Sequence, residues 1–196
     1  MSLKDQVLKI LKSNETRRIN FSFTGDDGTT SIAVDYRTFQ RVVAAIEDGS
    51  ITFGDATTLP SGSDGGYFGG SNTFTINESL SYSRLFNALV VHESVHAYFD
   101  LTRIRLLGID SEAAGYIAQG YYLKNSGYTR AIPATLVSLG RECVNTSSTV
   151  PSHVNAGKLT DLKSELENTP LYSGIIFINP TAGFGAGNRA YFQGNG

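Results

Sequence analysis

The 196-residue chain contains a single cysteine, Cys143, so it cannot form an internal disulfide and nothing in it depends on an oxidising compartment. Charge of one sign is also lacking: 16 Lys and Arg stand against 18 Asp and Glu, a formal net charge of -2 at pH 7. That balance removes nucleic acid and anionic membranes as partners chosen by the field of the whole protein. No stretch is long or apolar enough to span a bilayer. Residues 1–18 scatter charges among their apolar side chains and have no continuous apolar core, so no secretory signal is expected. A soluble chain follows, either cytoplasmic or exported by a non-classical route. Internal repeats are absent, and the pair Arg17-Arg18 is too short to argue for nucleic acid.

What is present is enough to build a core. Hydrophobic residues make up 40% of the chain and aromatics 11%, which argues against disorder and for one domain over residues 1–196. Leu3, Val7, Ile10 and Leu11 recur at helical spacing, as do Phe39, Val42, Val43 and Ile46 before Gly49. Between them, 19–24 and 31–36 alternate around Gly25-Asp26-Asp27-Gly28, a hairpin pattern. Ile51–Phe53 and Asn72–Asn77 read as strands. The 21 glycines are plentiful and gather in two stretches, so residues 57–71 read as a long mobile loop and residues 179–196 as a glycine-rich tail. Further helices are expected from a cap at Ser79 or Ser81 to about Thr102, from about Asp110 to Lys124, from about Ile132 to Cys143, and around Leu159, Leu162 and Leu166. Ile175–Ile178 reads as a last strand. The fold class expected is α+β, with a small twisted, mostly antiparallel sheet against a central helix and a helical C-terminal half.

Histidine is scarce, and its distribution is informative. Two of the three histidines fall in His92-Glu93-Ser94-Val95-His96, an H-E-x-x-H pattern inside a stretch already read as helix. Positions i and i+4 share a helix face, so the two imidazoles can converge on one metal ion. Glu93, beside the first of them, can reach a water activated by that metal and take its proton as the water attacks a carbonyl. Zinc is the expected metal, although nitrogen ligands with one carboxylate suit several first-row ions. A third histidine ligand six residues on is excluded, because Phe99 and Thr102 stand where Gly and His would be needed. The next helix begins Asp110-Ser111-Glu112-Ala113-Ala114-Gly115-Tyr116, and its small residues allow two helices to approach closely. Helix phase favours Glu112 as third ligand, with Asp110 as the rival and better suited to capping the helix. Asp100, one turn beyond His96, reads either as a carboxylate orienting a ligand or as a solvated helix-end charge.

His92-Glu93-Ser94-Val95-His96 with Glu112 resembles the gluzincin branch of the zincin metallopeptidases, the branch that includes thermolysin. The Glu112-Ala113-Ala114 stretch is also similar to the Glu-bearing helix of the small ImmA/IrrE-type peptidases. The likeness covers about residues 66–119. It departs from thermolysin in the shorter interval between His96 and Glu112, and in Tyr116, where thermolysin-type sequences carry a ligand-orienting carboxylate. The resemblance implies a zincin-like fold and peptide-bond hydrolysis by a Zn2+ ion held by His92, His96 and Glu112, with Glu93 as base. It further implies an edge strand that pairs with extended substrate, a place that Asn72–Asn77 occupies, with Thr73 and Thr75 turned from the core.

A donor to the developing oxyanion completes such a site. The candidates are His153, in the stretch Thr149-Val150-Pro151-Ser152-His153, together with Tyr116, Tyr121, Tyr122, Tyr128 and Arg130. Residues 61–70 read as a lid bringing Tyr67 or Phe68 to substrate, or as a plain surface loop. Gly183-Phe184-Gly185-Ala186-Gly187 lacks the GK[ST] ending of a phosphate-binding turn, and Cys143 reads as an inert core thiol. Three functions fit these residues: a zinc metallopeptidase acting on a peptide or protein, a toxin-type protease with one protein target, and an inactive zincin-like binding or regulatory module.

Overall fold

The structure, a computed structural model, describes residues 1–59, 63–77, 83–132, 134–144, 152–170, 172 and 191–192. Its class is α+β, with small mixed sheets rather than one mostly antiparallel sheet. The chain opens with α1 (Leu3–Leu11), started by a capping box between Ser2 and Asp5, and the short α2 (Asn14–Arg17). A hairpin of β1 (Phe21–Thr24) and β2 (Ser31–Val34) follows. Gly28 supplies the left-handed turn conformation (φ 72°), and Asp27 accepts the Thr29 and Thr30 N–H groups. Then comes α3 (Tyr36–Glu47), which buries Phe39, Val42, Val43 and Ile46 and stops before Gly49 (φ 84°), as the spacing predicts.

Three strands form the second sheet: β3 (Thr52–Phe53), β4 (Gly65–Phe68) and β5 (Thr73–Ile76), in the order β3-β5-β4. Two sequence expectations are corrected here. Residues 57–71 are not one long loop. They take in the end of a 3-10 turn (Ala56–Thr58), the strand β4 and a second 3-10 turn (Gly69–Ser71). Nor is the strand at 72–77 an edge: β5 pairs with β3 on one side and β4 on the other, and Thr75 is buried. Among the described strands β3 and β4 are the outer ones of this sheet, and β4 presents the longer free edge. The glycines of β4 and of the turn after it resemble loop composition but serve close approach. A Cβ on Gly65 would lie 3.1 Å from Leu89 Cδ2, and one on Gly69 would lie 3.2 Å from Asp100 Cγ.

The central helices are α4 (Arg84–Leu101) and α5 (Gly108–Asn125), linked through β6 (Leu106–Leu107). Ser83 caps α4 by accepting from the Phe86 N–H; Ser79 and Ser81 lie outside the described residues. Both helices are buried on nearly every side, as expected of helices that carry apolar residues all round. After α5 come α6 (Thr135–Cys143), β7 (Ser152–His153), α7 (Ala156–Asn168) and β8 (Tyr191–Phe192). Pro133 and the expected strand at 175–178 lie outside the described residues. The tail reading at 179–196 is corrected in one place, since β8 pairs antiparallel with β6.

Asp110 is not a cap. The helix α5 begins earlier, at Gly108, which places Asp110 in its first turn facing the hairpin. There its carboxylate accepts from the Asp26 N–H at 3.0 Å and from Lys163 Nζ at 2.6 Å, and Lys163 also reaches Asp26 at 2.6 Å. This buried knot ties the hairpin turn, α5 and α7 together. Across α5, Gly120 and Gly140 set the distance to α6. A Cβ on Gly120 would lie 2.5 Å from Gly140 O, and one on Gly140 would strike Tyr116 O. Among the described residues no helix is long and apolar enough to cross a membrane.

Candidate metal centre

Each member of the H-E-x-x-H pattern sits on α4, and Glu112 sits on the second turn of α5. Burial makes the pairing unusual: His92, Glu93 and His96 are 4%, 6% and 5% exposed. Polar groups so deep need partners, and these have specific ones. His92 Nε2 and His96 Nε2 lie 3.1 Å apart. Glu112 brings Oε2 to 3.5 Å from the first and Oε1 to 3.6 Å from the second. A tetrahedral ion with ligands at about 2.0–2.1 Å spaces its ligand atoms about 3.3–3.4 Å apart; each contact in this triangle of residues is near that spacing, the two to Glu112 ending on its two different oxygens. His92, His96 and Glu112 thus form a buried cluster that can hold a metal ion.

The outer nitrogens of the imidazoles fix their protonation. His92 Nδ1 faces Gln119 Oε1 at 3.2 Å. An amide oxygen only accepts, so that nitrogen carries the proton and Nε2 presents a lone pair. His96 Nδ1 meets Ser111 Oγ at 2.9 Å, a hydroxyl able to accept in the same way. Burial lowers the His92 pKa and takes that of His96 down to about 4, so both rings stay neutral, the form that binds metal. Without a cation the lone pairs and the Glu112 carboxylate would crowd one another in a dry interface. The donor set fits a divalent ion.

Close approach of the two helices makes the triangle possible. A Cβ on Gly115 would fall 2.8 Å from His92 Nε2, so only glycine fits beneath that imidazole. Tyr116 packs edge-on against His92 with centroids 4.5 Å apart, and its hydroxyl lies 2.6 Å from that of Tyr172. Burial, with Glu112 and Glu93 nearby, holds both phenols protonated far above neutral pH.

Glu93 reaches the sheet. Its Oε2 accepts the Tyr67 backbone N–H at 2.9 Å. Burial raises its pKa to about 7, helped by the Glu112 charge and opposed by His92 and the Tyr67 N–H. A carboxyl titrating there can both take and return a proton at neutral pH.

The structure brings His92, His96 and Glu112 together at the α4–α5 interface, with Glu93 beside His92 on α4 and bonded to β4. Asp110 does not join them, being held in the knot with Lys163. Asp100 touches neither imidazole, and it is not a solvated charge either: it is buried, and its Oδ2 accepts from Tyr67 OH at 2.8 Å. At about 100° per residue, Asp100 lies within about 20° of Glu93 around the helix but about 80° from His92. Ser111 and Gln119 are the residues that hold the imidazoles. Sequence reading missed both: the offset of seven puts Gln119 on the face of Glu112, whereas Ser111, one residue before it, lies about 100° round the helix.

Of the candidate oxyanion donors, Tyr116 is the one that packs on a ligand among the described side chains. Tyr121 stacks on Phe21, Tyr122 OH accepts from Asn87, and Tyr128 and Arg130 line a recess at the start of α4. The backbone of His153 lies in β7, which pairs parallel with β1 opposite Ser22, and its imidazole lies outside the described residues. Tyr67 is no lid residue, since it is buried against Phe74, whereas Phe68 is 39% exposed. Comparison of the chain with protein-family models, curated proteins and solved structures finds no match.

Proposed function

We propose that this chain is a zinc-dependent hydrolase of the zincin type that cleaves peptide bonds in a peptide or protein substrate. The observation that carries the reading is the buried cluster of His92, His96 and Glu112, in which the two Nε2 atoms lie 3.1 Å apart and meet the two Glu112 oxygens at 3.5 and 3.6 Å, on the helix that also carries Glu93. A helix bearing H-E-x-x-H, with a short sheet on one side and a glutamate-bearing helix on the other, supports the zincin-like reading of the fold. Bound there, zinc supplies a Lewis acid that polarises a carbonyl and acidifies water.

The chain's own residues do the rest. Glu93 takes a proton from water as the water oxygen bonds to the carbonyl carbon, then gives it to the amine nitrogen as the C–N bond breaks. The Tyr116–Tyr172 pair holds two hydroxyl protons and uses one between its own oxygens. The other is available to an oxyanion, strengthened because its hydroxyl also accepts a bond. Ser111 and Gln119 keep the imidazoles in register, and Gly115 keeps the helices close.

Elemental analysis of untagged protein, beside hydrolysis of a mixed peptide library, tests the reading. The native chain should carry close to one zinc and cleave peptides. Glu93→Gln should keep the zinc and lose cleavage by at least about 100-fold, and His96→Ala should lose the zinc. Zinc absent from the native chain after reconstitution, or cleavage that persists in Glu93→Gln, would overturn it.

A further inference from the structure

Glu93 and Asp100 stand seven residues apart on α4, two helical turns along one face. A single residue of β4 reaches both. Tyr67 gives its backbone N–H to Glu93 Oε2 at 2.9 Å and its phenol proton to Asp100 Oδ2 at 2.8 Å. That phenol has one proton, so Asn72, also beside it, must face it with the amide nitrogen. In that orientation the Asn72 NH2, with two protons to give, lies 3.1 Å from each of three acceptors, Tyr67 OH, Asp100 Oδ2 and Gly69 O. The conformation of Asn72 is left-handed (φ 48°), which folds the turn after β4 back over the carboxylate. Gly69 lies directly against it.

This clamp is costly. Asp100 is 5% exposed, and its Oδ1 has no hydrogen-bond partner among the described residues. A buried carboxylate with one oxygen unsatisfied destabilises the fold relative to an apolar pair of similar shape. A phenylalanine at 67 over an apolar residue at 100 would close the same seam without that penalty. What the carboxylate adds is direction. A charge-assisted bond to the phenol holds the free-edge strand at one height along α4, and that height puts the Tyr67 N–H on Glu93.

We propose that Asp100 is a positioning residue for Glu93, acting through Tyr67: it locks β4 onto α4 so that the Tyr67 N–H fixes one carboxylate oxygen and the rotamer of Glu93. The inference rests on Glu93 being the general base. Asp100 itself touches no ligand of the triangle and no reacting atom.

Residue-resolved amide exchange on the full, zinc-reconstituted chain tests this. Asp100→Ala and Tyr67→Phe should each speed exchange of the Tyr67 amide by about 10- to 100-fold, the equivalent of one buried hydrogen bond. The amides of Val95 and Ala97 should keep native protection, zinc content should be unchanged, and Asp100→Asn, which retains an acceptor, should restore the Tyr67 amide to within about threefold of native. Glu93→Gln should shift the Tyr67 amide proton resonance, marking the bond directly. Peptide cleavage should fall in Asp100→Ala and Tyr67→Phe through kcat and recover in Asp100→Asn. Unchanged Tyr67 exchange in both variants, or a loss spread evenly along α4, would overturn the positioning role. A native chain without zinc or cleavage would instead remove the general-base reading, and exchange at Tyr67 would still decide whether Asp100 holds β4.

Discussion

Gly115→Ala isolates the contact on which the proposed metal centre depends. A Cβ there would lie 2.8 Å from His92 Nε2 and 2.9 Å from Cδ2 and Cε1. Carbon contacts settle at about 3.5–4.0 Å, so about 0.7 Å or more must be found somewhere. The imidazole cannot swing aside freely, because Gln119 holds Nδ1 and Tyr116 and His96 flank the ring. Metal–ligand distances tolerate only about 0.2 Å, so whether the ring or the helix gives way, the His92 contribution is lost. Zinc affinity should fall by about 100-fold or more, beyond the effect of a typical outer-partner change. Stability of the metal-free chain should change little. Overpacking costs about 1–3 kcal/mol, and replacing a mid-helix glycine by alanine returns about 1 kcal/mol. Chelator-competition titration of zinc, alongside thermal unfolding of the metal-free protein, separates the two effects. If Gly115→Ala binds zinc within about threefold of native while His92→Ala does not bind, the close-packing reasoning fails.

Three further outcomes are expected. Gln119→Leu removes the acceptor of His92 Nδ1 and should weaken zinc binding by about 10- to 100-fold with Glu93 and Glu112 untouched, as read by the same titration. Gly140→Ala drives a methyl into the Tyr116 carbonyl and should cost about 1–3 kcal/mol, a fall of a few degrees in the melting temperature, without a direct effect on the ligands. Lys163→Met strips the buried Asp110 carboxylate of its cation and should destabilise the fold by about 3–5 kcal/mol at neutral pH. Burial already raises the Asp110 pKa, against the pull of Lys163. A carboxyl whose folded pKa exceeds its unfolded value binds protons more readily in the native state, so its contribution to stability falls as pH rises through that window. The Lys163→Met defect should therefore shrink on acidification in urea unfolding, and a defect that grows instead would refute the account of the knot.

The helices and ligands were legible because each rests on a local rule. Periodicity of 3.6 exposes α1 and α3, and the i, i+4 spacing of His92 and His96 implies convergence before any tertiary contact is known. Glu112 was reachable by phase on the following helix. The strand β4 was not, because Gly65-Gly66 and Gly69 have the composition of a loop. Their real role is to bring backbone against Leu89 and Asp100, which depends on a helix more than 20 residues away in the chain. For the same reason the free edge was assigned to 72–77, when the short β3 covers one side of it. Asp110 looked like a cap from its neighbours alone, and its true partners are Asp26 and Lys163, 84 and 53 residues distant.

By itself the sequence determined the chemistry on offer: two neutral nitrogens and a carboxylate on successive helices, a second carboxylate beside them, and small residues where those helices meet. Only the tertiary structure decided which groups hold that chemistry in place. Ser111 and Gln119 on the imidazoles, Tyr172 on Tyr116 and Tyr67 on Glu93 all arise from how α4, α5, β4 and the turn after α7 meet. A crossing is set by the shapes of many side chains at once, and no spacing within a single element encodes it.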